Sequence, residues 1–205
     1  MKQEKRDIVK FLKENIAPLP DAIDGDGYRA SVHLEDGTYL PCVIFRNPRN
    51  IVNLAIKRFK QEMGGGGIFS RKPKSNYYHL VEGFVASGNR VSVYDIQRVE
   101  KSKYAFPLNI QKQIQGETTM GWTGFSAKMK DGKYISFGTS FRWEFFQMPD
   151  NYSVDDIQEI INHSYVSETG DLRSHRQAES TKPVDYKPAV VHRDMTFFEC
   201  FIDTL

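Results

Sequence analysis

The sequence predicts an α+β protein of antiparallel β-hairpins, with about seven strands packed against three to four helices. Apolar and polar residues alternate along several segments, Asp-Gly or Gly-Asn pairs separate these segments, and helical periodicity appears between them. Alternation places successive side chains on opposite faces of a strand, and Asp-Gly supplies the positive φ angles of a tight turn. Together these patterns favour an antiparallel scaffold.

The composition indicates a folded, soluble protein. Of 205 residues, 40% are hydrophobic and 26% charged, which allows a buried core. The net charge of +2 is too small to indicate nucleic-acid binding by itself. Cys42 and Cys200 are too few for a disulfide scaffold, and we expect buried free thiols. Because we find no signal peptide and no apolar run near the ~20 residues of a membrane span, we expect a cytoplasmic protein without membrane contact.

The first half of the chain predicts two helices and a hairpin. Residues 2–16 have an amphipathic helical pattern that ends before two prolines. Residues 28–34 and 38–46 form a hairpin around Asp36-Gly37. Residues 52–63 repeat apolar side chains at helical spacing, which predicts a second helix packed on the sheet.

The second half predicts two further hairpins and a capped helix. The hairpins cover residues 77–99, with a Gly-Asn turn, and 118–141, with a second Asp-Gly turn. Pro107 begins a short helical piece between them. A longer helix is predicted over 153–165, where a serine and an aspartate three residues later match a capping box.

We expect residues 1–165 to form a single α+β domain. Residues 166–190 are polar and lack a pattern, which indicates a loop or an extended segment. Residues 191–205 predict a C-terminal strand that returns to the sheet or pairs with a partner. The domain contains two candidate half-repeats, 26–63 and 121–165, each a hairpin followed by a helix.

The duplication rests on two similar Asp-Gly hairpins. Asp36 and Asp131 stand 95 positions apart within similar sequences, and a Pro-x-Asn step follows each hairpin at Pro48 and Pro149. The alternative is that turn chemistry and strand alternation alone produce the similarity. The sequence leaves both explanations open.

A basic, glycine-rich segment is the leading candidate for anion or nucleic-acid binding. Mobile cations and glycine amides can hold phosphates, and aromatic rings can stack on bases. Its residues are Lys57, Arg58, Lys60, Arg71, Lys72 and Lys74, followed by Tyr77 and Tyr78. The segment does not match a P-loop, and a solvated connection explains the same composition.

A weaker candidate is a metal site at Asp155, Glu159 and His163. On the predicted helix, a spacing of four residues places all three side chains on one face. Helix dipole preferences explain the same arrangement, because acids favour the first turn and a cation favours the last. We therefore predict no metal and no cofactor.

Gly83, Gly124 and Gly138 interrupt predicted strands. A glycine inside a strand marks a bulge or a place where another backbone or a ligand comes close. We expect one of these features at each position.

Three classes of function fit these observations. The first is a non-catalytic protein-interaction module, a homodimer or a binder of another protein, with Phe197 and Phe201 of the last strand at the interface. The second is nucleic-acid or phosphate-ligand binding through the basic segment. The third is an enzyme whose site is assembled from separate hairpins, which would leave no linear motif.

Overall fold

The computed structural model describes residues 2–21, 25–63, 88–140, 142–175 and 188–205. Within them, ten strands and three α-helices divide into two compact units, which confirms the α+β class. Unit 1 comprises Met1–Glu100 with Phe198–Leu205, and unit 2 comprises Lys101–Phe197. No helix in the described ranges has the length and apolar character needed to span a membrane. The single domain expected over 1–165 stays a prediction.

The described residues of unit 1 form one four-stranded mixed sheet and two helices. Its elements are α1 (Lys5–Asn15), β1 (Gly27–Leu34), β2 (Tyr39–Arg46), α2 (Arg49–Met63), β3 (Ile96–Lys101) and β10 (Phe198–Phe201). The strand order is β10-β2-β1-β3. β1 and β2 form the predicted antiparallel hairpin, and β10 pairs with β2 in parallel.

The core of unit 1 lies between α1 and one face of this sheet. Ile8 and Leu12 of α1 are fully buried with Ala30 and Val32 of β1. These are alternate strand residues and helix residues four apart, as the sequence pattern predicts. The first helix and the first hairpin are therefore confirmed.

Unit 2 contains a second four-stranded mixed sheet and a small hairpin. Its elements are α3 (Leu108–Gln111), β4 (Thr123–Met129), β5 (Tyr134–Thr139), β6 (Ile157–Asn162), β7 (Ser164–Val166), β8 (Leu172–Ser174) and β9 (Val191–Arg193). The strand order is β6-β4-β5-β9, and β7 pairs with β8 separately. The hairpin of β4 and β5 is confirmed.

Aromatic rings fill the core of unit 2. Phe106, Phe125, Phe137 and Phe146 are each no more than 1% exposed, and their ring centroids lie 4.8–6.3 Å apart. Phe125 and Phe137 stack across the β4–β5 pair, and Phe106 meets both edge-on. Such edge contacts stabilise aromatic pairs beyond their buried area.

The two hairpins have the same turn chemistry. The Asp36 carboxylate accepts the Thr38 N–H at 2.9 Å, and that of Asp131 accepts the Lys133 N–H at 3.0 Å. The Thr38 hydrogen bond lowers the pKa of Asp36; the Tyr152 hydroxyl, followed by the Lys133 N–H, lowers that of Asp131. Each turn continues through a glycine with φ near 86°. The Asp-Gly pair therefore sets the same turn in both sheets.

The third strand of each sheet is also attached in the same way. Glu35 N–H donates to the Asp95 carbonyl at 2.9 Å, and Lys130 N–H donates to that of Asp156 at 2.9 Å. A single 3₁₀ turn precedes β3 and another precedes β6. Five of six residues match between Ser92-Val93-Tyr94-Asp95-Ile96-Gln97 and Ser153-Val154-Asp155-Asp156-Ile157-Gln158. This second match between the halves was missed in the sequence analysis.

The helix predicted over 153–165 is wrong. A capping box of Ser153 and Asp156 forms, in which Ser153 N–H donates to Asp156 Oδ2 at 2.7 Å, but the turn leads into strand β6. Ile157 and Ile160 are buried three residues apart because the pairing with β4 shifts register between Lys128 and Met129. A bulge that adds one residue to a strand gives inward spacing that resembles a helix.

The purely antiparallel arrangement is also wrong, because β10 and β9 run parallel to β2 and β5. These strands come from the end of the chain, so no short turn fixes their direction. The hairpin predicted over 77–99 lies partly outside the described residues. In the described part, a turn at Gly88 is present, but only Ile96–Lys101 forms a strand, and it lies beside β1.

The prediction of buried free thiols is confirmed. Cys42 and Cys200 are at most 2% exposed, and burial raises the pKa of each thiol to about 12. Cys200 belongs to the core of unit 1 together with Val43 and Phe45, whereas Cys42 alternates with them along β2 and points to the other face. The sheet therefore separates the two thiols.

Close approach explains both strand glycines of unit 2. Gly124 and Gly138 are paired across β4 and β5, and the Trp122 side chain lies over them. A Cβ atom at Gly138 would lie 2.1 Å from Cζ2 of Trp122, and one at Gly124 would lie 2.8 Å from Nε2 of His175. The Arg193 guanidinium covers the indole at 4.4 Å. The groups that come close to these two glycines are side chains of the same chain, rather than another backbone or a ligand, and Gly83 lies outside the described residues.

We expect Gly138→Ala to lower the free energy of unfolding by about 3 kcal/mol, because the new methyl group overlaps the indole. Gly88→Ala is the matched control, since a Cβ there meets nothing within 4 Å, and it should change stability by less than about 0.5 kcal/mol. Urea unfolding measures both. Equal stability of the two variants would contradict the placement of Trp122.

Candidate functional site

A polar cleft lies in unit 1 where β2 leads into α2. Its volume is about 470 Å³, within the range of ligand-binding clefts. The cleft is lined by Asp21, Gly25, Asp26, Tyr28, Asn47, Arg49, Asn50 and Leu205. Asn47 fixes the start of the helix, because its Oδ1 accepts the Arg49 N–H at 2.9 Å. The lining therefore offers carboxylate, amide, hydroxyl and guanidinium groups close together.

A buried arginine holds the wall of this cleft. The Arg46 side chain is 4% exposed, and its Nη1 lies 3.3 Å from Oδ2 of Asp21, which lines the cleft. The same nitrogen donates to the Gly25 carbonyl, and Nε lies 3.8 Å from Oε1 of Glu199 on β10. One guanidinium thus joins the segment of Asp21 and Gly25 to strand β10. Such a charge is tolerated because it is paired and hydrogen-bonded.

Gly27 makes room for this arginine. A Cβ atom there would lie 2.7 Å from Cγ2 of Ile44 and 3.3 Å from Cζ of Arg46. A larger residue would push the guanidinium away from its carboxylate partners. The glycine at the start of β1 therefore leaves Arg46 the space to reach Asp21, which lines the cleft.

The helix that begins at the cleft exposes apolar side chains. Val52 is 49% exposed and Ile56 is 46% exposed, one helical turn apart. Among the α2 side chains that the structure describes, Ile51, Leu54 and Ala55 are half-buried. Val52 and Ile56 belong to the apolar spacing that predicts this helix, and both are exposed to solvent. The apolar side chains of α2 cover more of the helix surface than the half-buried residues do, so some of these side chains are exposed to solvent.

Cations flank the exposed apolar pair. The exposed side chains of α2 also include Arg49, Asn53, Lys57 and Lys60. We call this exposed helical face together with the cleft the α2 surface. Arg49 belongs to both parts, which makes them continuous. The α2 surface therefore combines aliphatic side chains with positive charge.

The edges of both sheets, by contrast, are already occupied. On β10, the Glu199 N–H donates to the Asn89 carbonyl, and the Glu199 carbonyl accepts the Val91 N–H. On β3, the Gln97 carbonyl accepts the Gln3 N–H, and the Val99 N–H donates to Gln3 Oε1. In unit 2, the Gln147 N–H donates to the Arg193 carbonyl of β9, and Gln147 Oε1 accepts the Arg193 N–H. Gln113 Oε1 accepts the Ile160 N–H of β6. Few backbone groups at these points are available to another strand.

The predicted basic segment lies largely outside the described residues. Lys57 and Lys60 are on α2 and exposed, as is usual for lysine. Arg58 is also on α2, and its side chain is not among those that the structure describes. The remaining residues, Arg71, Lys72, Lys74, Tyr77 and Tyr78, fall in the gap between 63 and 88. Anion binding by the whole segment stays a prediction.

The structure does not bring the candidate metal ligands together on a helix face. Asp155 lies in the 3₁₀ turn, Glu159 lies in β6, and His163 follows that strand with a φ of 53°. Thr118 Oγ1 lies 3.2 Å from His163 Nδ1. The described residues contain no group of three or more His, Cys, Asp and Glu side chains suited to a metal.

The two aromatic residues predicted at an interface have contacts within the chain. Phe197 is half-buried, 6.1 Å from the Phe145 ring, with the Arg142 guanidinium 5.9 Å from its centroid. Phe201 is half-buried beneath the guanidinium of Arg90 at 5.1 Å. Contact of these two rings with a partner stays a prediction.

Sequence reasoning missed the cleft and the buried arginine. Asp21, Arg46 and Glu199 are far apart in sequence, so no local motif connects them. The available signal was Arg46 at the end of an apolar strand, where a charge needs partners if it is buried.

Comparisons with protein-family models, with curated proteins and with solved structures found no match to this chain.

We expect Arg46→Met to lower the free energy of unfolding by about 3 kcal/mol, because it removes a buried cation that pairs with two partly buried carboxylates. Arg98→Met removes an exposed pair with Glu100 and should cost less than about 1 kcal/mol. Chemical denaturation at neutral pH compares the two. Similar small losses would show that Arg46 does not hold the cleft wall.

Proposed function

We propose that this chain is a non-catalytic protein-recognition module and that the α2 surface is its binding site. The observation that carries the proposal is the exposure of Val52 and Ile56 next to a polar cleft. Neighbouring apolar side chains on a surface, with polar groups around them, are typical of protein interaction sites. The cleft supplies directional hydrogen-bonding groups, and the helix supplies the apolar contact.

The comparison of the two units supports this proposal. Unit 2 forms the same sheet without a helix among the described residues between β5 and the 3₁₀ turn at Val154. A sheet of this order and its third strand therefore do not require α2. A helix that is not needed for the sheet and exposes aliphatic residues is better explained by binding.

The occupied sheet edges support it as well. A partner strand would have to compete with the hydrogen bonds from Gln3, Gln113 and Gln147. Docking on a helix requires no such exchange, because the backbone hydrogen bonds of a helix are internal. A second copy of the chain is one candidate partner, and a monomeric mass at high micromolar concentration would exclude it.

We also propose that the two sheets arose by duplication. The shared strand order, the matching hydrogen bonds at Asp95 and Asp156, and the two sequence matches support this origin. Turn chemistry alone does not account for the match that begins at Ser92 and Ser153, which lies outside the Asp-Gly turns. In this view α2 is an addition to one copy.

A peptide library tests the proposed binding site. Selection of random 15-residue peptides on the wild-type protein should yield binders that lose at least tenfold in affinity for Val52→Ser/Ile56→Ser. Both side chains are exposed, so the variant should fold normally, and circular dichroism checks this.

The matched control for the library is Val190→Ser, since Val190 is a similarly exposed valine in unit 2. The selected peptides should bind this control as they bind the wild type. Binders that are indifferent to the α2 substitutions and lose affinity for the control would locate recognition elsewhere.

A further inference from the structure

We propose that the partner segment bound by the α2 surface is an acidic amphipathic helix. This inference rests on the proposed function and adds the chemistry of the partner. It follows from the arrangement of charge and apolar side chains along α2 and from the charges in the cleft.

The apolar contact has helical spacing. Val52 and Ile56 occupy one row of side chains along α2, and Lys60 is the next member of that row. A second helix that packs along such a row presents its own apolar side chains at intervals of three and four residues. An extended peptide has a repeat of two residues and matches this row less well.

The charge of α2 indicates an acidic partner. Along Arg49–Met63 the sequence has Arg49, Lys57, Arg58 and Lys60 against the single acid Glu62, a net charge of +3. No acidic residue lies in the first turn of the helix. Arg49, Lys57 and Lys60 are exposed around the apolar pair. Carboxylates on the partner would therefore meet cations beside the apolar contact.

The cleft restricts how the partner lies. Asp26 is exposed at the cleft, close to the start of α2, and would repel a carboxylate there. Lys57 and Lys60 lie further along the helix, away from this carboxylate. The acidic side chains of the partner therefore lie over the second half of α2, and a neutral residue occupies the cleft.

Fluorescence anisotropy with the full chain tests this inference. The probe is a labelled 18-residue helical peptide with leucine at positions i, i+3, i+4 and i+7 and glutamate at most others. We expect binding that weakens as salt rises, because the contact is partly electrostatic. Lys57→Glu/Lys60→Glu should reduce affinity at least tenfold, and Ile56→Ser at least fivefold.

The matched control is Arg6→Glu/Lys10→Glu, which makes the same charge change on exposed residues of α1. It should bind the acidic peptide within twofold of the wild type. A peptide with lysine in place of glutamate should not bind. No binding of the acidic peptide, or equal loss in the control, overturns the inference.

Binding measurements with other probes distinguish this inference from the proposed function. Binding of a glutamine–leucine peptide as tightly as the acidic one, lost in Ile56→Ser, would retain the binding site and remove the acidic partner. Preferred binding to phosphatidylserine-containing vesicles or to a 20-nucleotide single strand, lost in Lys57→Glu/Lys60→Glu, would assign the surface to a membrane or a nucleic acid. Library binders that ignore α2 would remove both proposals.

Discussion

The Asp-Gly corner of each hairpin is the constraint on which both sheets depend. A carboxylate at the first corner position holds the backbone N–H two residues later, and glycine supplies the left-handed φ that closes the turn. This geometry fixes which residues face each other, and a register shift of one residue would turn every side chain to the other face. The residue before each aspartate then attaches the third strand through its N–H. The fourth strand comes from the C-terminal part of the chain in both sheets.

The two sheets share this framework but use their outer faces differently. In unit 1, Gly27 gives space to the buried Arg46, which joins the cleft to β10. In unit 2, Gly138 gives space to the indole of Trp122. In both cases a strand residue without a side chain allows a long side chain to lie across the sheet. One pattern of strands thus supports a charged network in one unit and an aromatic layer in the other.

The sequence predicted those parts of the fold that local chemistry determines. The hairpins at Asp36 and Asp131 were predicted because their turn residues and their alternation are adjacent in sequence. The parallel strands were missed because long connections leave strand direction open. β6 was taken for a helix because a capping box at Ser153 precedes apolar residues at helical spacing. In the structure a bulge in β6 buries Ile157 and Ile160 instead.

The candidate site was less accessible to sequence reasoning. The apolar spacing of α2 predicted the helix but not which side packs, since Ile51 and Leu54 compete with Val52 and Ile56 for the buried position. The cleft combines residues from both ends of unit 1, so only the folded chain brings them together. Two lysines of the basic segment, Lys57 and Lys60, lie on α2 beside the exposed aliphatic pair, a position that the sequence alone did not indicate.

Backbone amide hydrogen exchange, followed residue by residue by NMR, tests the repeated framework most directly. The N–H groups of Glu35 and Lys130 should both be strongly protected, with protection factors within about tenfold of each other, because each attaches a third strand. The amides of α2 should exchange faster than either. Free exchange of Glu35 or Lys130 at the rate of an unfolded peptide would contradict the account.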